Sequence, residues 1–313
     1  MSELIFHHYD GSPFSEKIRL IFGRKRLAWR SAIQPNMMPK PELVPLTGGY
    51  RRIPVLQIGA DVYCDSQRIA RELERLHPAP SLYPDGTEGV CHALNLWADR
   101  MLFQASVPVV FGKIGNAVPK EFIEDRRKLM GGGDFGAFIQ AAPLFAEQLR
   151  AQLALLDAQL ADGRPFLLGG EPSLADFAAY HPVWFLRAIP PAAGALAEFS
   201  GVTKWAERVA AIGHGQRSEI APAEALAVAR DAKPLPGAGV ARGEPNGLAL
   251  GERVAITPDD YGFDPVVGEL VAADVHEVAV RRTSPETGEV VVHFPRAGFR
   301  VARAPGARTG KMP

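Results

Sequence analysis

Cysteine is almost missing from this sequence, with only Cys64 and Cys91 among 313 residues. Two thiols cannot build a disulfide framework, and they suit a reducing compartment. Long apolar runs are missing as well, and none approaches the ~20 residues of a membrane span. No long apolar stretch follows a basic end in MSELIFHHYDGSPFSEK, so no signal peptide is read and the expected location is the cytoplasm. Net charge is absent, because 35 basic residues balance 35 acidic ones. The molecule as a whole therefore carries no field to gather nucleic acid or a membrane surface. What remains is the composition of an ordinary globular protein, 47% hydrophobic and 22% charged, long enough for two or three domains.

Strand-like and helix-like signals alternate over the first 80 residues. Leu4–Tyr9 reads as a short strand closed by Asp10-Gly11. Ser12-Pro13 then opens a helix, because serine caps free N–H groups and proline suits the first helical position. Trp29–Ile33, Ile53–Ile58 and Asp61–Cys64 read as further strands, and Ser66 as the cap of a helix ending at His77-Pro78. A small mixed sheet with packed helices follows, covering 1–80. From 88 to 230 the spacing turns helical: Phe145, Leu149, Leu153, Leu156 and Leu160 form one apolar face. Ser173-Leu174-Ala175-Asp176 has the pattern of a capping box. A stretch rich in Pro and Gly over 231–251 reads as a linker. Beyond it, Arg253–Thr257, Val266–Ala272, Glu277–Arg282, Val290–Phe294 and Phe299–Ala302 suggest a small antiparallel barrel or sandwich over 252–313.

The corner at Tyr9–Ser15 has the shape of a thioredoxin-like active site, with Ser12-Pro13-Phe14-Ser15 where a C-x-x-C would stand. Without cysteine it cannot do dithiol chemistry. A hydroxyl beside a helix N-terminus instead favours an anion, and it can stabilise a bound thiolate by donating a hydrogen bond. Pro54 at the entrance to a strand suits a cis peptide bond that shows the backbone of Ile53 to a peptide ligand. Asp65-Ser66 at a helix start can receive an amino acid head group, the acid taking its ammonium and the helix end its carboxylate.

Ser12-Pro13-Phe14-Ser15, Arg52-Ile53-Pro54-Val55-Leu56, Asp65-Ser66 and the Ser173–Phe177 motif together resemble the glutathione transferase family over residues 1 to about 225. The resemblance implies a thioredoxin-like domain followed by an all-helical one, usually assembled as a homodimer, with glutathione as co-substrate. It implies that Ser12 is the catalytic serine, as in the tau-like and theta-like branches. It further implies that Ile53, before a cis Pro54, pairs its backbone with the cysteinyl part, that Phe14 lies at the glutathione site, that Asp65 and Ser66 hold the γ-glutamyl end, and that Lys40 and Arg52 lie near the glycyl carboxylate. Most members carry Glu where Asp65 stands.

Tyr9 is the rival thiol activator, since tyrosine has that role in other branches, and it is also a candidate for the pocket wall. Trp97, Met101, Phe103 and Phe111 are candidates for an apolar second-substrate pocket, or alternatively for core packing. His7 and His8 are adjacent on a strand and face opposite ways, so they do not share an ion, and no metal is expected. Met130–Gly133 marks a flexible break between helices. From Val290 onward five basic residues, Arg296, Arg300, Arg303, Arg308 and Lys311, stand without an acidic one, yet no aromatic-basic stripe for nucleic acid is present. The expected activity is attack of the glutathione thiolate on a small apolar electrophile. Dehalogenation, isomerisation or ether cleavage would use the same thiolate, and a non-catalytic binding protein with this fold is the rival from another class.

Overall fold

The computed structural model describes residues 3–305. Arg308 and Lys311 lie outside the described residues. The chain begins β1 (Ile5–His8), α1 (Pro13–Arg24), β2 (Ala28–Ile33), α2 (Val44–Thr47), β3 (Val55–Ile58), β4 (Asp61–Cys64) and α3 (Ser66–Leu76). β1 runs parallel to β2 and antiparallel to β3, and β3 pairs antiparallel with β4. Alternation along these strands assigns each face to a different core. Leu56 and Tyr63 join the cluster shared with the helical domain, while Val55, Val62 and Cys64 join a second cluster on the opposite face.

The helical domain comprises α4 (Glu88–Trp97), α5 (Phe103–Ile114), α6 (Lys120–Leu129), α7 (Phe135–Gln140), α8 (Ala142–Gln159), α9 (Leu174–Ala188), α10 (Pro190–Ala193) and α11 (Ser200–Ala210). A π-helical turn at Ala98–Leu102 joins α4 to α5. The capping box at the start of α9 is present, and Asp176 is more than a cap. Its buried carboxylate accepts from Leu167 N at 2.8 Å, Ser173 N at 2.9 Å, Ser173 Oγ at 2.8 Å and Trp205 Nε1 at 2.9 Å. Those donors offset the cost of burying the charge.

After α11 come β5 (Gln216–Glu219), α12 (Pro222–Asp231), β6 (Gly239–Val240), β7 (Arg253–Pro258), β8 (Val266–Ala273), β9 (Glu277–Ser284), β10 (Gly288–Pro295) and β11 (Phe299–Arg303). β5 is wholly exposed and extends the sheet edge parallel to β2; its all-polar Gln-Arg-Ser-Glu carries no apolar period that sequence reasoning could read. The last five strands are antiparallel in the order β11-β7-β8-β9-β10, and β10 lies parallel to β4, so the C-terminal strands and the first domain share one continuous sheet. The second core, with Val254, Ile256, Leu270, Val280, Val292 and Phe294, runs unbroken into Val55, Val62 and Leu43 of the first domain. His293 clamps the joint. Its ring N–H groups donate to Asp61 Oδ1 (3.0 Å) and to Glu277, and it stacks on Tyr63 with ring centroids 4.5 Å apart. Burial opposes its charge, but the two carboxylates outweigh burial and the pKa of His293 is raised.

Among the described residues, no helix is long and apolar enough to cross a membrane.

Candidate functional site

Two cavities meet where the thioredoxin-like domain, the helical domain and the C-terminal strands converge. The larger has a volume of about 710 Å³ and the smaller about 30 Å³. Phe14, Arg52, Ile53, Asp99, Asp260 and Tyr261 line both, so these six residues form the partition between them.

Ser12 lines the larger cavity from the N-cap of α1. Its extended backbone (φ −83°, ψ 119°) turns the chain out of β1 and into the helix, and Pro13 supplies the first helical residue. Ser12 Oγ accepts from Ser15 N at 3.3 Å, which leaves its own proton to donate. Ser15 is buried, and its Oγ has no partner among the described residues. Tyr9 stands on the same wall. Burial raises the pKa of its phenol against the pull of Arg126 and Ser12, so it stays protonated and is a donor too.

Lys40 also faces this cavity, and it is only 4% exposed. Its Nζ donates to Arg51 O at 2.8 Å. Burial, helped by Arg126 and Arg51 and opposed by Asp125, pushes its pKa down to about 7. Asp125 pairs with both Arg51 and Arg126, so the three cations Lys40, Arg51 and Arg126 share a single carboxylate. The apolar part of the wall includes Phe103, Phe111, Phe122, Phe135 and Phe185, contributed by α5, α6, α7 and α9.

The smaller cavity is bounded by Ile53, Pro54, Asp65, Ser66 and Gln67. The Ile53–Pro54 peptide is cis. Asp65, rather than Ser66, is the N-cap of α3; its side chain accepts from Gln67 N at 2.9 Å, and Ser66 is the first helical residue. Asp65 has φ +71° and ψ 138°, a conformation that side chains rarely adopt and that costs on the order of 1–3 kcal/mol. Burial raises its pKa, with Asp99 adding to the rise and Lys17 and Arg52 pulling against it. A buried, strained acid of this kind is suited to an incoming cation.

Trp97 and Met101 line neither cavity. Trp97 packs against the helical core, and Met101 is 58% exposed. Core packing, the alternative reading, is what Trp97 does, while the π-helical turn at Ala98–Leu102 leaves Met101 outward and places Asp99 in the cleft. Asp99 is neutralised by Lys17 at 2.7 Å and bonded to His181 at 3.0 Å, and His181 packs on Phe14 with centroids 4.5 Å apart. His7 and His8 do point to opposite sides, His7 to Gln57 and Gln34 and His8 to Ser31 and Arg19.

Sequence reasoning missed Arg126, Asp260, Tyr261 and Phe263, all in the cleft wall. Arg52 pairs with Asp260, and its guanidinium lies 3.7 Å from the centroid of the Tyr261 ring. Two acids and two aromatics crowded into one short turn, Asp259–Phe263, were the available signal, since polar and aromatic residues on a loop between strands often carry function.

A strand-to-helix corner with a cleft toward a helical domain defines the thioredoxin-like, two-domain class to which this architecture belongs. The family model for the glutathione S-transferase N-terminal domain matches residues 6–81, and that for the C-terminal domain matches residues 137–208. A crystal structure of a GST-like protein from Pseudomonas syringae is 40% identical, covers 96% of this chain and all of its own, and superposes with a TM-score of 0.81. The chain belongs to the glutathione S-transferase family. Among curated proteins, FtsZ-localized protein A of Caulobacter vibrioides is 28% identical over 192 residues, 56% of this chain and 74% of that protein. A glutathione S-transferase from Rhodospirillum rubrum F11, at 20% identity and TM-score 0.51 over 65% of this chain and 86% of its own, shares the fold.

Proposed function

We propose that this protein is a serine-type glutathione transferase, in which Ser12 donates a hydrogen bond to the glutathione thiolate and the large cavity receives an apolar electrophile. The observation that carries this reading is the placement of the Ser12 hydroxyl. It caps α1, accepts there so that its proton remains to be donated, and lines a 710 Å³ cavity with several phenylalanines in its wall. A free thiol titrates near 8.5, and lowering it by ~2 units asks for about 3 kcal/mol. One charge-assisted hydrogen bond together with the positive end of α1 supplies roughly that. Holding both reactants in one cleft then makes the attack effectively unimolecular.

In this reading residues 1–80 hold the tripeptide and 88–230 hold the electrophile, while 252–313, reached through 231–251, close the cleft. Asp65 takes the γ-glutamyl ammonium and Ser66 at the start of α3 takes its carboxylate. Phe14, Ile53 and Pro54 line the cysteinyl segment, and Lys40 with Arg52 receives the glycyl carboxylate. Tyr9 stands beside Ser12 as a second donor, and Phe103 and Phe111 form the electrophile's apolar wall. We place the enzyme in the cytoplasm as a homodimer. Dehalogenation, isomerisation and ether cleavage would use the same thiolate.

Turnover of chlorodinitrobenzene with glutathione tests the proposal. The wild type should conjugate it, and Ser12→Ala should lose most of the rate while Tyr9→Phe loses little. Equal rates in wild type and Ser12→Ala would remove the serine from the mechanism. A second reading, a non-catalytic binding protein, is favoured by the 30 Å³ volume at Asp65, which has room for about two waters. It is also favoured by the likeness to a protein named for its localisation with FtsZ. No turnover of any electrophile, whether or not glutathione binds, supports that second reading.

A further inference from the structure

The turn between β7 and β8 reaches out of the C-terminal strands and into the cleft. Asp259 pairs with Arg100 of the helical domain at 2.6 Å, and its backbone N–H donates to Gly298 O at 3.0 Å. Gly262 N donates to Leu129 O, at the end of α6, at 2.7 Å. Between these anchors Asp260 accepts from Arg52, while the Tyr261 carbonyl accepts from the same guanidinium and the Tyr261 ring covers it. Asp260 Oδ1 also accepts from Tyr261 N at 2.9 Å, which fixes the carboxylate's direction. The turn is held from two domains. Its acid points at a third.

Arg52 is a buried guanidinium, its side chain 9% exposed, and its Nε has no hydrogen-bond partner among the described residues. The seat is therefore built for an anion, has capacity to spare, and is filled by the chain itself. The volume left beside Asp65 and Ser66 is about 30 Å³, and Arg52, Asp260 and Tyr261 are among the residues that bound it. An amino acid head group does not enter a space for about two waters. Entry of a peptide ligand at Asp65 calls for displacement of residues that bound this space, and Asp260 and Tyr261 of the turn are among them.

We infer that Asp260 is an internal competitor for the ligand's carboxylate at Arg52, so that the Asp259–Phe263 turn sets which thiol peptides the cleft accepts. This rests on the reading of the cleft as a glutathione site. A ligand carboxylate that displaces Asp260 exchanges one carboxylate for another on the same guanidinium, so it gains little in the wild type. Once the competitor is gone, the same carboxylate meets an unpaired buried cation and gains a full charge-assisted pair. A ligand whose glycyl carboxylate is esterified has nothing to offer Arg52 in either protein. Discrimination between acid and ester is thus small in the wild type and large without Asp260.

Calorimetric titration of the full-length wild type and Asp260→Asn with glutathione and with its glycyl ethyl ester tests this. Asp260→Asn should bind glutathione about tenfold tighter or more, and the ester with a clearly smaller gain, because the ester shares only the benefit of a looser turn. Equal gains for acid and ester mean that the substitution only loosens the turn, and no gain for either means that Asp260 does not compete. Both results overturn the inference. Asp260→Ser should give the same ordering. Nitration of Tyr261 by tetranitromethane, mapped by peptide mass in the ligand-free proteins, reads the turn without any thiol. The wild type should be protected and Asp260→Asn modified faster, and equal protection overturns the inference. Faster nitration with no heat from glutathione in either protein supports the competing turn and sinks the glutathione reading instead.

Discussion

Strands β1 to β4 place their candidate site residues at strand-to-helix corners, where Ser12 and Asp65 each cap a helix, whereas strands β7 to β11 place theirs in a turn that crosses to another domain. In the first case a few consecutive residues set the geometry: an extended residue, a cap, a proline, a helix. In the second, Asp260 meets a guanidinium 208 residues earlier in the chain. Both halves nevertheless belong to one sheet and one core, joined at β4 and β10. A local device can bind a ligand by itself. A device that spans domains can also sense whether those domains are in place.

The largest expected effect breaks the joint between the halves. Phe294 is fully buried and packs on Tyr50 and Phe299, with ring centroids 5.6 and 5.4 Å apart. Phe294→Ala should cost about 3–5 kcal/mol, and chemical denaturation should still show one cooperative transition, because both halves share that core. Two separate transitions would mean that the halves fold independently.

Next in size is Ser12→Ala. The pKa of bound glutathione should rise by about 1.5 units, the share of the hydrogen bond with the end of α1 still in place, which is roughly a tenfold loss of thiolate at neutral pH. The protein itself should lose only about 1 kcal/mol, the worth of one N-cap. Loss of fold on this substitution would turn the corner into a purely structural feature.

A smaller effect, graded by pH, reports on the clamp. The pKa of His293 is raised in the folded protein, because Asp61 and Glu277 outweigh burial. Its stabilisation is therefore fully present below the unfolded value near 6.5 and is lost as pH rises through the higher folded value. His293→Gln should cost about 2 kcal/mol at pH 6, with the gap from wild type narrowing toward alkaline pH. A gap that widens with pH would reverse the assignment. The buried imidazoles His7 and His181 work the other way. Burial pushes each down to about 4, so the stability tied to their neutrality is present above pH 6.5 and falls as the solution is acidified toward pH 4. Thermal midpoints across pH 4 to 9 would show both slopes.

The sequence announced what depends on short range. Alternating residues marked the strands, and four of the five C-terminal ones begin at the residue read from the sequence, while β10 begins two residues earlier, at Gly288. Ser12-Pro13 and Asp65-Ser66 announced two helix starts and, with them, both ends of the candidate site. What stayed hidden depends on long range or on broken periodicity. The pairing of β10 with β4 joins residues some 230 apart, and nothing in either strand names its neighbour. β5 is a strand only because β2 offers it an edge. Which way Trp97 and Met101 face depends on the π-helical turn at Ala98–Leu102, which no apolar spacing marks. Tyr261 looks like any loop aromatic until Arg52 is seen beneath it.

Titration of the thiol in its bound state tests the central claim most directly. The ultraviolet absorbance of thiolate, followed against pH with the protein saturated by glutathione, should show a midpoint about 2 units below that of the free tripeptide, and Ser12→Ala should return it toward the free value. A midpoint equal to that of free glutathione in the wild type would contradict the claim that this corner holds the sulfur as an anion.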